Sequence, residues 1–358
     1  MKKIDRYILT KFLGTFVFIM MLLLGITIVI DLSEKIDNFV EHNATFVSVV
    51  VDYQIYFIPY ISSLIGPFFV LVAVIFFTSQ LADRSEIIAI LNSGTSFYRM
   101  LYPYFLGASI LAFVFFMGNN YFIPYANMKR IAFERQFVSK PYEGLRYSFH
   151  RAVTPGTIVY MENYKPMDGS AYNFSIDRFE KGKLVYKLMA ERIDWSKEKK
   201  TWKLTNFYIR KFGANKQTIV KAAEADSAFS FTPDDFSFTA HNKEEMTTPE
   251  LVEYIKEMYA TGQPDIEFYE VERYRRTSSA FSIYILTLIG VSVASRKMRG
   301  GLGWHLVLGI ALSAIYEIIM KFSITFATNA SLPALVAVWI PNFLFAAMAI
   351  YLVRKAPK

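Results

Sequence analysis

The stretch Asp83 to Arg99, DRSEIIAILNSGTSFYR, decides how the rest of the chain is read. It separates two long apolar runs. Asp83, with Glu86 three residues on, has the capping-box pattern of a helix start. Ile87, Ile88, Ile90 and Leu91 make the segment apolar, and Asn92, Ser93 and Gly94 stop it, as Gly does at helix C-termini. The pattern predicts a short helix over 83–94, between two membrane spans and on the charged side of a membrane. An ordinary helical connector fits the same residues equally well.

Outward from this loop, apolar runs cover Phe12–Ile30, Phe57–Leu81, Met100–Pro124, Thr277–Ser295, Gly303–Phe326 and Ala334–Val353. Most are near or above the roughly 20 residues that a span needs. The 358 residues are 53% hydrophobic and yet 20% charged, a mixture that suggests membrane spans joined to a water-exposed part. Six spans place both termini on one side. That side holds Lys2, Lys3, Arg6, Lys11, Arg84, Arg99, Arg296, Lys297, Arg299, Arg354, Lys355 and Lys358 against only Asp5, Asp83 and Glu86. The net charge of +8 is therefore a positive-inside signature and not a groove for nucleic acid. It assigns the termini and the opening loop to the cytoplasm. A signal peptide is disfavoured, because no small-residue cleavage site follows the basic start.

Between the third and fourth runs the composition changes. Thr157–Tyr164, Tyr172–Phe179, Leu184–Trp195, Thr201–Phe212 and Ile219–Phe231 are rich in aromatic and β-branched residues and partly alternate. Turn signals separate them at Glu180–Lys183, Ser196–Lys200 and Gly213–Lys216. The expectation is an all-β domain of sandwich or jelly-roll kind on the outer side. Its aromatic residues could line an acyl-chain site, but inward aromatics are more often ordinary core. Thr247-Thr-Pro-Glu250 is a strong helix start. That helix should run to Gly262, and a second, from Pro264, straight into the fourth span. A tight cytoplasmic turn is expected at Ser295–Gly301.

The chain lacks several kinds of chemistry. It has no cysteine, which excludes disulfides, thiolate metal sites and cysteine nucleophiles. Its four histidines, His42, His150, His241 and His305, have no metal-ligand spacing. There is no G-x-x-x-x-G-K-[ST], G-x-S-x-G or H-E-x-x-H motif. What stands out is charge within or near the spans. Glu317 and Lys321, spaced i, i+4 in the fifth run, either face a wet cavity or pair with each other. Asp31 and Lys35 lie at the same outer depth. If the first and fifth spans face one another, these charges rim one cavity. Lys35, Lys321, Arg130 and Arg135 could then hold anionic phosphates, although each arginine could equally anchor the interface.

Four stretches resemble one family: DRYILTKFLGTF (Asp5–Phe16), RSEIIAILNSG (Arg84–Gly94), RRTSSAFSIYILTLIGVSVASRKMRGG (Arg275–Gly301) and AVWIPNFLF (Ala337–Phe345). They are similar to the LptF/LptG permeases of the bacterial lipopolysaccharide exporter, and the resemblance covers essentially the whole chain. The DRYI start is more similar to the LptG member. The resemblance implies an α-helical membrane protein with six transmembrane helices and an all-β, jelly-roll-like periplasmic domain between the third and fourth. The expected domains are 1–127 (spans one to three), 128–246 (β domain), 247–276 (helical connector) and 277–358 (spans four to six).

It also implies an inner-membrane ABC transporter in which this chain is not an enzyme. The expected partners are a homologous permease, a cytoplasmic ATPase dimer that binds ATP and Mg, a periplasmic bridge of similar β-domains, and lipopolysaccharide itself; no cofactor is expected in this chain. The coupling-helix glutamate of the family matches Glu86, so Asp83, Arg84 and Glu86 become the expected ATPase-coupling residues. Lipopolysaccharide would enter from the outer leaflet, between the first span of one permease and the fifth of the other. Lys35, Arg130, Arg135, Glu317 and Lys321 are the expected lipid-binding set. Two other classes were weighed. A mechanotransmitting permease shares the coupling element and the outer insert, but three spans on each side of the insert speak against it. A lipid-modifying enzyme needs convergent acids, bases or metal ligands, to which only Glu317 with Lys321 comes close.

Overall fold

The computed structural model describes residues 2–138, 149–165, 168–213, 216–233, 242–261, 266–296, 301–330 and 332–356. Six helical segments are long and apolar enough to cross a membrane. The first is α1 (Lys3–Glu41), which runs on past Asp31 as one helix. The second is α2 (Ile55–Asp83), entered through a π-helical segment at Val49–Gln54. After α3 (Glu86–Asn92), α4 (Phe97–Met117) passes through a second π segment at Gly118–Phe122 into α5 (Ile123–Phe137). The boundary expected after residue 127 therefore falls inside a helix. Beyond the β-insert come α6 (Thr248–Thr261), α7 (Ile266–Ala294), α8 (Gly301–Asn329) and α9 (Ala334–Lys355). The expected turn signals at Gly213–Lys216, Gly262, Pro264 and Ser295–Gly301 fall wholly or partly outside the described residues.

Lipid tails are as apolar as the helix surfaces, so close packing and internal polar bonds hold the spans together. α2 and α7 are the inner helices, with 61% of each apolar window buried, against 11% for α1 and 28% for α8. Val70, Ala73, Val74 and Phe77 of α2 face one cluster with Ile8, Phe12 and Phe16 of α1 and Met100, Tyr104 and Leu111 of α4. Leu71 and Ile75, on the other side of α2, face Leu286 and Ile289 of α7, Tyr316 of α8 and Phe345 of α9. Gly107 lets α4 approach α1 closely, since a Cβ there would stand 2.5 Å from the Phe12 ring.

The start of α3 differs from the sequence expectation. Asp83 is the last residue of α2, so it cannot cap the next helix. The chain turns through Arg84 and a left-handed Ser85 (φ 60°), and the short helix begins at Glu86. Its end is as expected: Ser93 closes it and Gly94 takes φ 82°, a conformation that glycine adopts without steric cost.

The insert is all-β, as expected. Its described strands are β1 (Phe149–Thr154), β2 (Thr157–Lys165), β3 (Ser170–Glu180), β4 (Lys183–Ser196), β5 (Thr201–Phe212) and β6 (Gln217–Ser227). They form one antiparallel sheet in chain order. Asn163, Asn173 and Asn206 have positive φ on β2, β3 and β5, next to the register row Glu162–Tyr172–Arg192–Thr205. Asn is among the few residues that accept this conformation. Asn173 and Asn206 each donate to a glutamate on the neighbouring strand, Glu162 and Glu191, at 2.6 and 2.7 Å. The buried face holds Tyr164, Phe174, Trp202, Phe207 and Phe231. Trp202 Nε1 donates to the Phe231 carbonyl at 2.9 Å, so here the aromatic residues serve as core.

By compactness the chain divides into two units. One holds the spans together with Lys243–Leu251. The other runs Val138–Asn242 and Val252–Ile266.

Candidate functional site: two polar networks at one end of the spans

The first network is built where α1, the π segment before α2, and α5 meet. Lys35 on α1 pairs with Asp31 one turn earlier at 2.7 Å and with Glu134 of α5 at 2.8 Å. It also donates to the Tyr53 hydroxyl, which stands 3.0 Å from Asp31 and 3.2 Å from Glu134. The second oxygen of Glu134 takes Arg130 at 2.9 Å, and Arg130 lies over the Tyr60 ring, 4.1 Å from its centre. Phe39, Phe57 and Phe133 pack around Tyr53 and dry the group. Two cations and two carboxylates thus close on each other with no net charge.

The second network surrounds the start of α7. Glu272 takes Arg275 at 2.9 Å and Arg276 at 3.0 Å. Arg276 also donates to Thr248 Oγ1 and to the Lys243 carbonyl, which ties the connector to the spans. Thr248 in turn donates to Asn120 at 2.6 Å, and Asn119 donates to Ser279. A cavity of about 90 Å³ opens here, lined by Tyr60, Glu244, Glu272, Arg275, Arg276 and Glu317 among others. That is room for a few waters. The π segments supply both networks: Tyr53 and Gln54 come from the first, Asn119 and Asn120 from the second. The wider π turn re-aims side chains that a regular helix would direct elsewhere.

The expected lipid-binding residues are therefore only partly brought together. Lys35 and Arg130 share Glu134, and Tyr60 links Arg130 to the cavity that Glu317 lines. Arg135 points elsewhere and pairs with Glu245 at 2.7 Å. Glu317 and Lys321 make no ion pair among the described residues; Glu317 is half-buried and Lys321 exposed. Among the described contacts α1 packs chiefly on α2 and α4, and α8 on α2 and α9. Neither Lys35 nor Lys321 lines the cavity that Glu317 lines. Tyr53, Tyr60, Glu272 and the two arginines at the start of α7 were not foreseen as site residues. The i, i+3 and i, i+4 spacing of Glu272 to Arg275 and Arg276 was the available signal.

On the other side of the spans, α3 carries Glu86. Its carboxylate accepts from the Tyr7 hydroxyl at 3.1 Å and lies 4.0 Å from Arg84. Asp83 makes no ion pair among the described residues.

Six helices long and apolar enough to cross a membrane, with a β-insert between the third and fourth, are the architecture of a multi-pass membrane protein. The model of one family, the lipopolysaccharide export system permease LptF/LptG, matches residues 6–355, and the chain belongs to that family. No curated protein sequence matches the chain. The family is described for LptF and LptG together, so the LptG likeness of the DRYI start is not distinguished.

Proposed function

We propose that this permease subunit lifts lipopolysaccharide out of the outer leaflet of the bacterial inner membrane and passes it to a periplasmic β-jelly-roll bridge. ATP and Mg are bound by a separate cytoplasmic ATPase dimer, and the transmembrane pair is completed by a homologous permease. Both termini and α3 are cytoplasmic, and the sheet is periplasmic. The lipid enters between α1 of one permease and α8 of the other. Their low burial within the chain supports this, since each presents an apolar face to lipid or to a second chain. The observation that carries the lipid reading is the Glu134 bridge. Its two carboxylate oxygens hold Lys35 and Arg130 at the spacing at which two oxygens of a phosphate could take the same cations. A lipid phosphate exchanges with Glu134 at this pair, while Arg135, Glu317 and Lys321 add charge around the path. Asp83, Arg84 and Glu86 form the ATPase-facing end, with Glu86 the principal contact.

The test is purification of the full chain from its native membrane. A homologous permease and an ATPase dimer should co-purify, and Glu86→Ala should release the ATPase while leaving the β-domain folded. Normal assembly and normal lipid export by Glu86→Ala would remove α3 from the mechanism.

A further inference from the structure

α1 is tied by polar contacts at its two ends and packs one face, through Ile8, Phe12, Phe16 and Met20, on α2 and α4. Along its middle it is mostly exposed, with Phe18, Met21, Leu22, Ile26 and Val29 all facing outward. At the Lys35 end it is fixed to Glu134 and Tyr53. At the other end it is fixed to the segment around α3 at two points. Asp5, buried to 3% exposure, accepts both terminal nitrogens of Arg99 at 2.8 and 2.7 Å, and also the Lys2 backbone N–H at 2.8 Å. A two-pronged carboxylate–guanidinium pair fixes orientation as well as distance. Tyr7 then donates to Glu86. Between these polar contacts, Ile8 and Phe12 of α1 share one buried cluster with Ile87 of α3 and Phe97 and Met100 of α4. Asp5 and Arg99 are 94 residues apart in sequence, and Tyr7 and Glu86 79, so neither contact is a local helix pair.

We propose that Tyr7, bonded to Glu86 of α3, and Asp5, bonded to Arg99 at the start of α4, are positioning residues that lock α1 to the α3–α4 corner, so that a push on α3 travels along α1 as a rigid rod to the Lys35–Glu134 bridge. From Tyr7 to Lys35 the rod spans about 42 Å at 1.5 Å per residue. Tyr7 also aims the Glu86 carboxylate before any partner arrives. The inference rests on the reading of α3 as the ATPase-docking helix and deepens it, because it names the element that carries the stroke to the lipid end.

The chain has no cysteine, so two introduced ones can be labelled without background. In the complete complex with its partner permease and ATPase dimer, Lys11→Cys and Ser93→Cys, both at exposed positions, would carry a spin-label pair. The distance between the labels should change by less than about 2 Å between nucleotide-free and ATP-bound states, whereas one element slipping past another by a helical turn moves about 5 Å. Tyr7→Phe combined with Asp5→Asn should let that distance change freely. Tyr7→Phe alone should leave the ATPase bound while lowering lipid released per ATP hydrolysed about fivefold, the effect of one hydrogen bond. A label distance that shifts by a turn in the otherwise native chain overturns the proposal. So does unchanged lipid release per ATP in the double variant. Glu86→Ala separates the two readings: intact docking and export in that variant removes the docking reading itself, whereas lost docking in that variant together with a label pair that moves by a turn in the otherwise native chain removes only the rigid link.

Discussion

At the residue scale, Lys35, Arg130, Arg275 and Arg276 are each matched by a specific acid, and that determines what substitution does. Lys35→Met leaves Asp31 and Glu134 facing each other around Tyr53 without the cation that separates them. Breaking a largely buried ion network by removing one partner costs about 3–5 kcal/mol. The unfolding midpoint of the purified protein in detergent should fall clearly, and less for Glu134→Gln, which leaves Lys35 on Asp31 and Arg130 on Asn127. Gly107→Ala forces a methyl into the Phe12 ring and should cost about 1–3 kcal/mol in the same assay. Lys35 and Arg130 were legible in the sequence because basic residues at span ends are conspicuous. Their shared partner was not. Glu134 is 99 residues from Lys35, and Tyr53 reaches the pair from a π segment, whose altered register no hydrophobic pattern reveals. For Glu317 and Lys321 the sequence left a cavity or a mutual pair open, and a spacing that permits a pair does not create one when one side chain turns to a cavity and the other outward.

At the element scale, local signals were reliable where the partner lay within one turn. Thr247 and Glu250 form the expected helix start, with the Thr247 N–H and hydroxyl each donating to Glu250 at 2.8 Å. These bonds hold the Glu250 carboxyl below the usual carboxylate range. Their support is therefore complete above the pH at which an unfolded glutamate titrates, and it is lost as pH falls through the lower folded value. Amide hydrogen exchange in the first turn of α6, corrected for intrinsic rate, should show protection at neutral pH and fraying in acid. Thr247→Ala should remove about 1 kcal/mol of that protection already at neutral pH. The equally plausible capping box at Asp83 failed because α2 runs two residues further than its apolar pattern, absorbing the intended cap. Strand β1 escaped notice for a related reason. FHRAVT is short and carries three polar side chains, and its pairing with β2 supplies the structure that its own sequence does not announce.

At the scale of the whole molecule, the three-plus-three layout and the β-insert were readable from composition alone, because a membrane demands long apolar runs and forbids unpaired backbone within it. Which helices pack on which was not readable. Apolarity does not mark the centre, since α1 has the most apolar window and the least buried one, yet α2 and α7 carry the contacts of both halves. Among the described contacts α1 and α8 pack chiefly on other helices, and the lipid path proposed here forms where two permeases meet. That arrangement is tested most directly by placing photo-crosslinking residues beside Lys35 and Lys321 in the active, assembled complex. Lipopolysaccharide adducts at both positions, increasing when ATP hydrolysis is blocked before release, are the expected result. An active complex that yields no adduct at either position would contradict the account.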